Sequence, residues 1–290
     1  MGPLNMDENI VTVSSGIGLT GSLTVSRSSD RGRASIRELW AFRDLILSLV
    51  ARDLKIKYQG SAVGIAWTLL NPLLTVAILV TVFSHVIRIG IDHYWAFLLS
   101  GFFAWNFIQQ NLFHATAVLQ NHAALNRSVY FPREVLIIGA MLTKFVEFLM
   151  EFAIVLILLA VFYYPAVPSS LILLPWIVLV LLMMTVGLMF PLAAMAVYFR
   201  DVQQAVPIAM MSLFYLSPIF YPVEMIPETV RPFYYLNPLA GLIQLFHVVV
   251  FQGAWPTMTL LVSVSAVAVA VCLTGYLTFN HYKDVCVEIA

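Results

Sequence analysis

The sequence is poor in charge. Asp, Glu, Lys and Arg make up 10% of its 290 residues, 15 acidic against 15 basic, while 61% are apolar. A soluble domain is about 25% charged and 45–50% apolar, so the composition excludes a water-soluble globule and points to a membrane-embedded chain. The balanced charge gives no reason to expect a nucleic-acid partner. Cysteine is scarce too. Cys272 lies in the last apolar run and Cys286 near the end, without companion ligands, which suggests neither a disulfide framework nor a metal site. No Gly-x-x-x-x-Gly-Lys-Ser/Thr loop occurs, so the chain has no such cradle for nucleotide phosphates. Paired His/Glu metal motifs and a nucleophile elbow are missing as well, so covalent catalysis is not expected. Met1 to Thr24 carry neither a basic start nor a clean apolar core. A secretory signal is therefore not expected, and residues 1–35 read as a disordered or variable tail.

What the chain does have is long apolar runs. A helix crossing about 30 Å of hydrocarbon needs about 20 apolar residues. Six runs qualify, at roughly 62–87, 95–120, 136–164, 171–198, 204–222 and 256–280. The stretch 233–251 is apolar but holds Asn237-Pro238 and His247, which argue against a seventh span. Together with Pro222 and Pro227 they suggest short re-entrant helices, because non-helical backbone at membrane depth must be buried in protein or line a cavity. Basic residues orient the whole. Eight of the fifteen precede residue 60, and an inside N-terminus puts twelve Lys and Arg inside against Arg88 and Arg231 outside. Residues 61–282 then form the six-span membrane domain, and 283–290 a tail on the same side as the N-terminus.

Residues 36–60 are not a span. Arg37, Asp44, Ser48, Arg52 and Lys55 share one helical face, opposite Leu39, Phe42, Ile46, Leu49 and Val50. This predicts an amphipathic helix in the inner interface, basic enough to favour anionic lipid headgroups. It serves either as an anchor or as a docking element for a partner.

Several residues stand out. Asn126, Arg127, Tyr130, Phe131, Arg133 and Glu134 mix charge and aromatic anchors in a short inner loop. That suits a docking loop or an interfacial belt. Arg200-Asp201 marks a second inner loop or a plain membrane boundary. Lys144, Glu147 and Glu151 sit inside the third run. Ionisable groups there are functional candidates, but the three-residue step from Lys144 to Glu147 lets them meet as an ion pair, a reading favoured over a proton relay. Aromatic residues crowd the outer half, including Trp95, Trp105, Phe214, Tyr215, Phe220, Tyr221, Tyr234 and Tyr235. An interfacial belt explains them; a stacking path for sugars is the sharper alternative.

Four motifs in order carry a resemblance. They are Lys55-Ile56-Lys57-Tyr58-Gln59-Gly60-Ser61 running into Gly64-Ile65-Ala66-Trp67-Thr68-Leu69-Leu70-Asn71-Pro72; Phe131-Pro132-Arg133-Glu134; Tyr198-Phe199-Arg200-Asp201-Val202; and Ser217-Pro218-Ile219-Phe220-Tyr221-Pro222 followed by Tyr235-Leu236-Asn237-Pro238. Over about residues 36–282 the chain resembles the permease subunit of ABC exporters for polysaccharides such as O-antigen and teichoic acid. The resemblance implies an all-α integral membrane protein of the bacterial inner membrane with cytoplasmic termini. It would have six transmembrane helices, an N-terminal amphipathic interface helix, and an outer re-entrant helical hairpin between the fifth and sixth spans. It further implies a homodimer with two copies of a separate ATPase, which bind ATP and Mg. The cargo would be an undecaprenyl-type lipid-linked glycan. Asn126 to Glu134 would couple to the ATPase, and Arg200 and Asp201 would form a second inner contact. Trp67, Phe214, Tyr215, Phe220, Tyr221, Tyr234 and Tyr235 would line the pore or its gate.

The nearest competing reading is a drug- or lipid-exporting ABC permease of the same plan. A proton-coupled secondary transporter would rest on Lys144, Glu147 and Glu151, but the internal repeats expected of one are not evident. A membrane glycosyl-transfer enzyme would need an acidic cluster at one boundary, and Glu134, Asp201 and Glu224 are scattered between the two sides.

Overall fold

The first described helix, α1 (Arg43–Tyr58), follows from its charge and apolar spacing. Asp44 sits in the first turn and Lys55 and Lys57 in the last, each complementing the helix dipole. Ile46, Leu49 and Val50 fall on one stripe and are buried. Leu47 and Ile56, which flank this stripe on its two sides, are exposed, as suits a helix lying in an interface more than one in bulk water. The computed structural model describes residues 40–59, 64, 66–121, 132–229, 231 and 237–282. Residues 36–39 of the expected interface helix, and the tails 1–35 and 283–290, lie outside this set.

Long helices follow. They are α2 (Ala66–Thr81, extended by a π turn to Val86), α3 (Tyr94–Asn121), α4 (Glu134–Phe162), and α5 (Leu174–Tyr198, preceded by a 3-10 turn from Ser169). Next come α6 (Val202–Tyr215), α7 (Pro238–Phe246, extended by a π turn to Phe251) and α8 (Met258–Tyr282). Among the described residues no strand occurs. Four helical stretches are long and apolar enough to cross a membrane: Ala66–Val86, Glu134–Phe162, Ser169–Tyr198 and Met258–Tyr282.

Helix α3 has the length to cross, at 28 residues, but its apolar pattern is diluted by Ser100, Asn106, Gln109, Gln110, Asn111 and His114. The reason is its place in the bundle. It packs against α2, α4, α5, α6 and α7, and Leu98, Phe103, Trp105, Ile108 and Asn111 are essentially inaccessible. A helix that faces protein on most sides carries polar groups that a lipid-facing helix would expel. Asn111 Nδ2 donates to the Phe107 carbonyl at 2.8 Å, and Ser100 Oγ lies 2.7 Å from the Phe97 carbonyl.

The fifth apolar run departs from the sequence expectation. A helix through residue 222 was expected; α6 spans 14 residues and stops at Tyr215. At 1.5 Å per residue that is about 21 Å, short of the hydrocarbon thickness. Pro218 disfavours helical geometry in the residue before it, and the chain turns over Leu216–Tyr221. Helix α7 with its π turn is equally short. Its start is built locally: Pro238 occupies the first helical turn and the Asn237 side chain accepts from Leu239 N at 3.0 Å. Leu239, Leu242, Ile243, Leu245 and Phe246 are all buried.

Helices α5 and α8 form the most extensive helix pair. A Cβ at Gly275 would lie 1.9 Å from the Gly187 carbonyl oxygen, and one at Gly187 2.6 Å from the Cys272 backbone. Small residues let membrane helices approach to backbone contact, and here no side chain fits.

Candidate functional site

Charge collects where α1, α2 and α4 meet. Lys144 and Glu147 are one helical step apart on α4, and Lys144 Nζ lies 3.0 Å from Glu147 Oε2. From the end of α1, Lys57 Nζ reaches Glu147 Oε1 at 2.6 Å. Tyr58 donates its hydroxyl to the same oxygen at 3.0 Å. Tyr58 Oη is also 2.8 Å from Thr68 Oγ1 on α2. A phenol has one proton, already given to Glu147, so Thr68 is the donor in that contact. One carboxylate thus receives bonds from two ammonium groups and a phenol, and the phenol carries the tie on to α2. The Glu147 side chain is 6% exposed, Lys144 10% and Lys57 42%. At Lys57, burial lowers the pKa, but the hydrogen bond and charge of Glu147 override it and hold the group above its ordinary value. It is therefore charged at neutral pH.

A cavity of about 280 Å³ opens beside this cluster. Its polar walls are Thr68, Asn71 and Thr75 of α2, Asn106 and Gln110 of α3, and Lys144, Glu147 and Glu151 of α4, with the Trp67 ring at its edge. Glu151 is buried, one turn beyond Glu147. The ion pair read from the spacing of Lys144 and Glu147 is present. The arrival of Lys57 and Tyr58, some 90 residues earlier in the chain, carries no local sequence signal.

A second buried polar group lies between α3, α7 and the turn after α6. His247 Nε2 is 2.7 Å from the Pro218 carbonyl and Nδ1 is 2.7 Å from Ser100 Oγ. The carbonyl only accepts, so Nε2 carries the proton and Ser100 donates to Nδ1. The imidazole stacks on Phe97, with ring centroids 4.1 Å apart. The Asn237 side chain donates to Ser217 Oγ at 2.9 Å. The turn after α6 is therefore held at both Ser217 and Pro218.

The aromatic candidates divide. Phe220 is buried, with Phe83, Phe214, Tyr215 and Tyr221 rings within 4.8–5.7 Å of its own. The Tyr94 hydroxyl donates to the Phe220 carbonyl at 2.8 Å. Trp67 and Tyr215 are more than half exposed, whereas Phe214 and Tyr221 are partly buried. Tyr234 and Tyr235 lie outside the described residues, as do Asn126, Arg127, Tyr130 and Phe131. Of the rest of that loop, Arg133 is partly buried at the head of α4 and Glu134 is 1% exposed. Arg200 and Asp201 are exposed in the turn between α5 and α6.

Known proteins share this sequence at length. Residues 44–251 match the ABC-2 type transporter family. The O-antigen export system permease protein RfbA of Myxococcus xanthus is 30% identical over 252 residues, 86% of this chain and 96% of its own length. A protein of the same name from Klebsiella pneumoniae is 29% identical over 69% of this chain and 77% of its own. The polysialic acid transport protein KpsM of Escherichia coli is 24% identical over 71% of this chain and 81% of its own. A match over most of the chain, on a bundle of long apolar helices, makes this protein a member of the ABC-2 type transporter family.

Proposed function

We propose that this chain is the membrane subunit of an ATP-driven exporter that carries a polysaccharide out of the cytoplasm. The observation that carries the reading is the end-to-end similarity to an O-antigen export permease, joined by a relative named for polysialic acid transport. The cargo is an O-antigen, teichoic-acid or similar glycan on an undecaprenyl-type lipid. ATP and Mg bind to two copies of a separate ATPase subunit, because this chain has no phosphate-binding loop of its own.

The finer arrangement belongs to the same proposal. Two copies of the chain sit in the bacterial inner membrane with both termini cytoplasmic. Six crossings are made by α2, α3, α4, α5, α6 with the turn that follows it, and α8. Helix α7 belongs to an outer re-entrant hairpin, and α1 lies in the inner interface. Residues 126–134 receive the ATPase, with Arg200 and Asp201 beside them. Trp67 and Tyr215 are exposed and form the leading stacking surfaces for sugar rings. The aromatic knot around Phe220 is the gate that must loosen.

Expression with the ATPase encoded beside it, in a strain lacking its own O-antigen permease, tests the reading. Surface glycan is expected to return. Insertion with no surface glycan, or export of a hydrophobic dye in its place, would sink it in favour of a drug or lipid permease. Within that assay, Arg133→Glu is expected to leave the protein inserted while ATP hydrolysis and export come apart. Normal export by that variant removes residues 126–134 as the coupling loop.

A further inference from the structure

Charge inside a membrane span is costly and calls for a reason. Adhesion is not that reason here. Helix α1 is already held on α4 by Ile46, Leu49 and Val50, and Leu49 lies against Gly139. Helix α2, by contrast, is weakly held. Only Pro72 and Val76 of its sixteen residues are buried, and the polar cavity separates part of it from α3 and α4. Protein interiors are otherwise close-packed, so this gap leaves α2 room to shift. The directional contact holding the first turn of α2 is the chain Thr68–Tyr58–Glu147, reinforced by Lys57.

We propose that Glu147 is a positioning residue: it fastens the end of α1 to α2 and α4, so that a push on α1 moves α2 as a lever. This rests on the export reading above, in which α1 lies in the inner interface, on the ATPase side of the membrane, and Trp67 puts α2 beside the sugar path. Hydrogen bonds fix angle as well as distance, whereas the apolar stripe of α1 allows sliding. Glu147 sets the angle and the cavity supplies the clearance. Lys144 balances the second carboxylate oxygen, so the acceptor stays charged when Lys57 shifts.

The test removes the link without leaving a stranded charge. The triple variant Lys57→Met, Lys144→Met, Glu147→Leu keeps volume and drops all three charges, a replacement that folded proteins commonly tolerate. It is expected to insert and to co-purify with the ATPase. The ATP hydrolysed per glycan exported should rise about tenfold, within the range seen when coupling elements are altered. A second variant, Lys57→Glu, Lys144→Gln, Glu147→Lys, rebuilds the α1–α4 bond with its polarity reversed and is expected to recover most of the export. Wild-type coupling in the triple variant overturns the proposal. So does a reversed variant as uncoupled as the triple, which would mean that local charge matters and the link does not.

A readout independent of cargo separates this from the export reading. Spin labels at Leu47 on α1 and Ile78 on α2, both exposed, in dimers with one labelled protomer, report the α1–α2 distance. A single narrow distance in the parent that broadens in the triple variant supports the link even if no glycan is exported. An unchanged distribution overturns it.

Discussion

The buried polar ties at His247 and at Glu147 are built on opposite principles. The tie at His247 is neutral, lies among close-packed rings, and joins one imidazole to one hydroxyl and one carbonyl. The tie at Glu147 is charged, half open to solvent at Lys57, and borders a polar cavity. A neutral, fully satisfied contact in a low-dielectric interior rigidifies what it joins. A charged contact needs several partners to offset desolvation, and the space beside it leaves those partners able to rearrange. The first has the build of a fixed anchor for the turn after α6, the second that of a joint.

The largest way to break this contrast is Glu147→Ala. It strands Lys144 inside the span and Lys57 at its edge, at a cost of about 3–5 kcal/mol. The expected result is failure to accumulate in the membrane, measured by fluorescence-detection size exclusion. His247→Ala comes next. It removes the partner of the Pro218 carbonyl and opens space beside Phe97, costing about 2–4 kcal/mol. Protease cleavage in the 216–221 turn should increase; unchanged cleavage would show that the turn is held by the aromatic knot alone.

Tyr58→Phe removes the hydroxyl that bonds Glu147 and Thr68 while keeping the ring, and should lower detergent-solubilised thermal stability by about 1 kcal/mol. Its effect should shrink but persist in a Thr68→Val background, because that background removes the Thr68 contact and leaves the Tyr58–Glu147 bond to be lost. Lys57→Met is the smallest, since Lys144 still balances Glu147 and Lys57 is largely solvated. Its signature is the pH dependence. The folded Lys57 pKa is raised above its ordinary 10.5, so the stability it adds is complete below that value and disappears as pH climbs through the folded pKa. Wild type and Lys57→Met should differ slightly at neutral pH and converge in strong alkali. His247→Ala should keep its full deficit across the same range.

Much of this was legible in the residues. The step from Lys144 to Glu147 foretold their ion pair, and the stripe of Ile46, Leu49 and Val50 foretold the buried face of α1. Asn237-Pro238 argued against a seventh span and turns out to open α7, whereas the break at Pro218 was concealed by the apolar run around it. Other readings depended on contacts that no window contains. Phe220 reads as a pore or gate residue, and the fold surrounds it with the rings of Phe83, Phe214, Tyr215 and Tyr221. Glu134 reads as part of the inner docking loop, and the fold buries it at the head of α4. Lys57 reads as one more cation on a basic helix and turns inward to a carboxylate ninety residues away. The apolar pattern around His247 gave no hint of Ser100.

Composition and hydropathy by themselves determined that this is a membrane-embedded helical protein and roughly where its helices lie. With so little charge and such long apolar runs, a backbone surrounded by hydrocarbon must satisfy its own hydrogen bonds, and the helix is the local way to do so. Tertiary structure alone decided which helix is central, which aromatic rings are hidden, and which groups share Glu147. Helix formation depends on neighbours three and four residues apart, while the pairing of a buried charge depends on whatever the fold brings within about 3 Å of it.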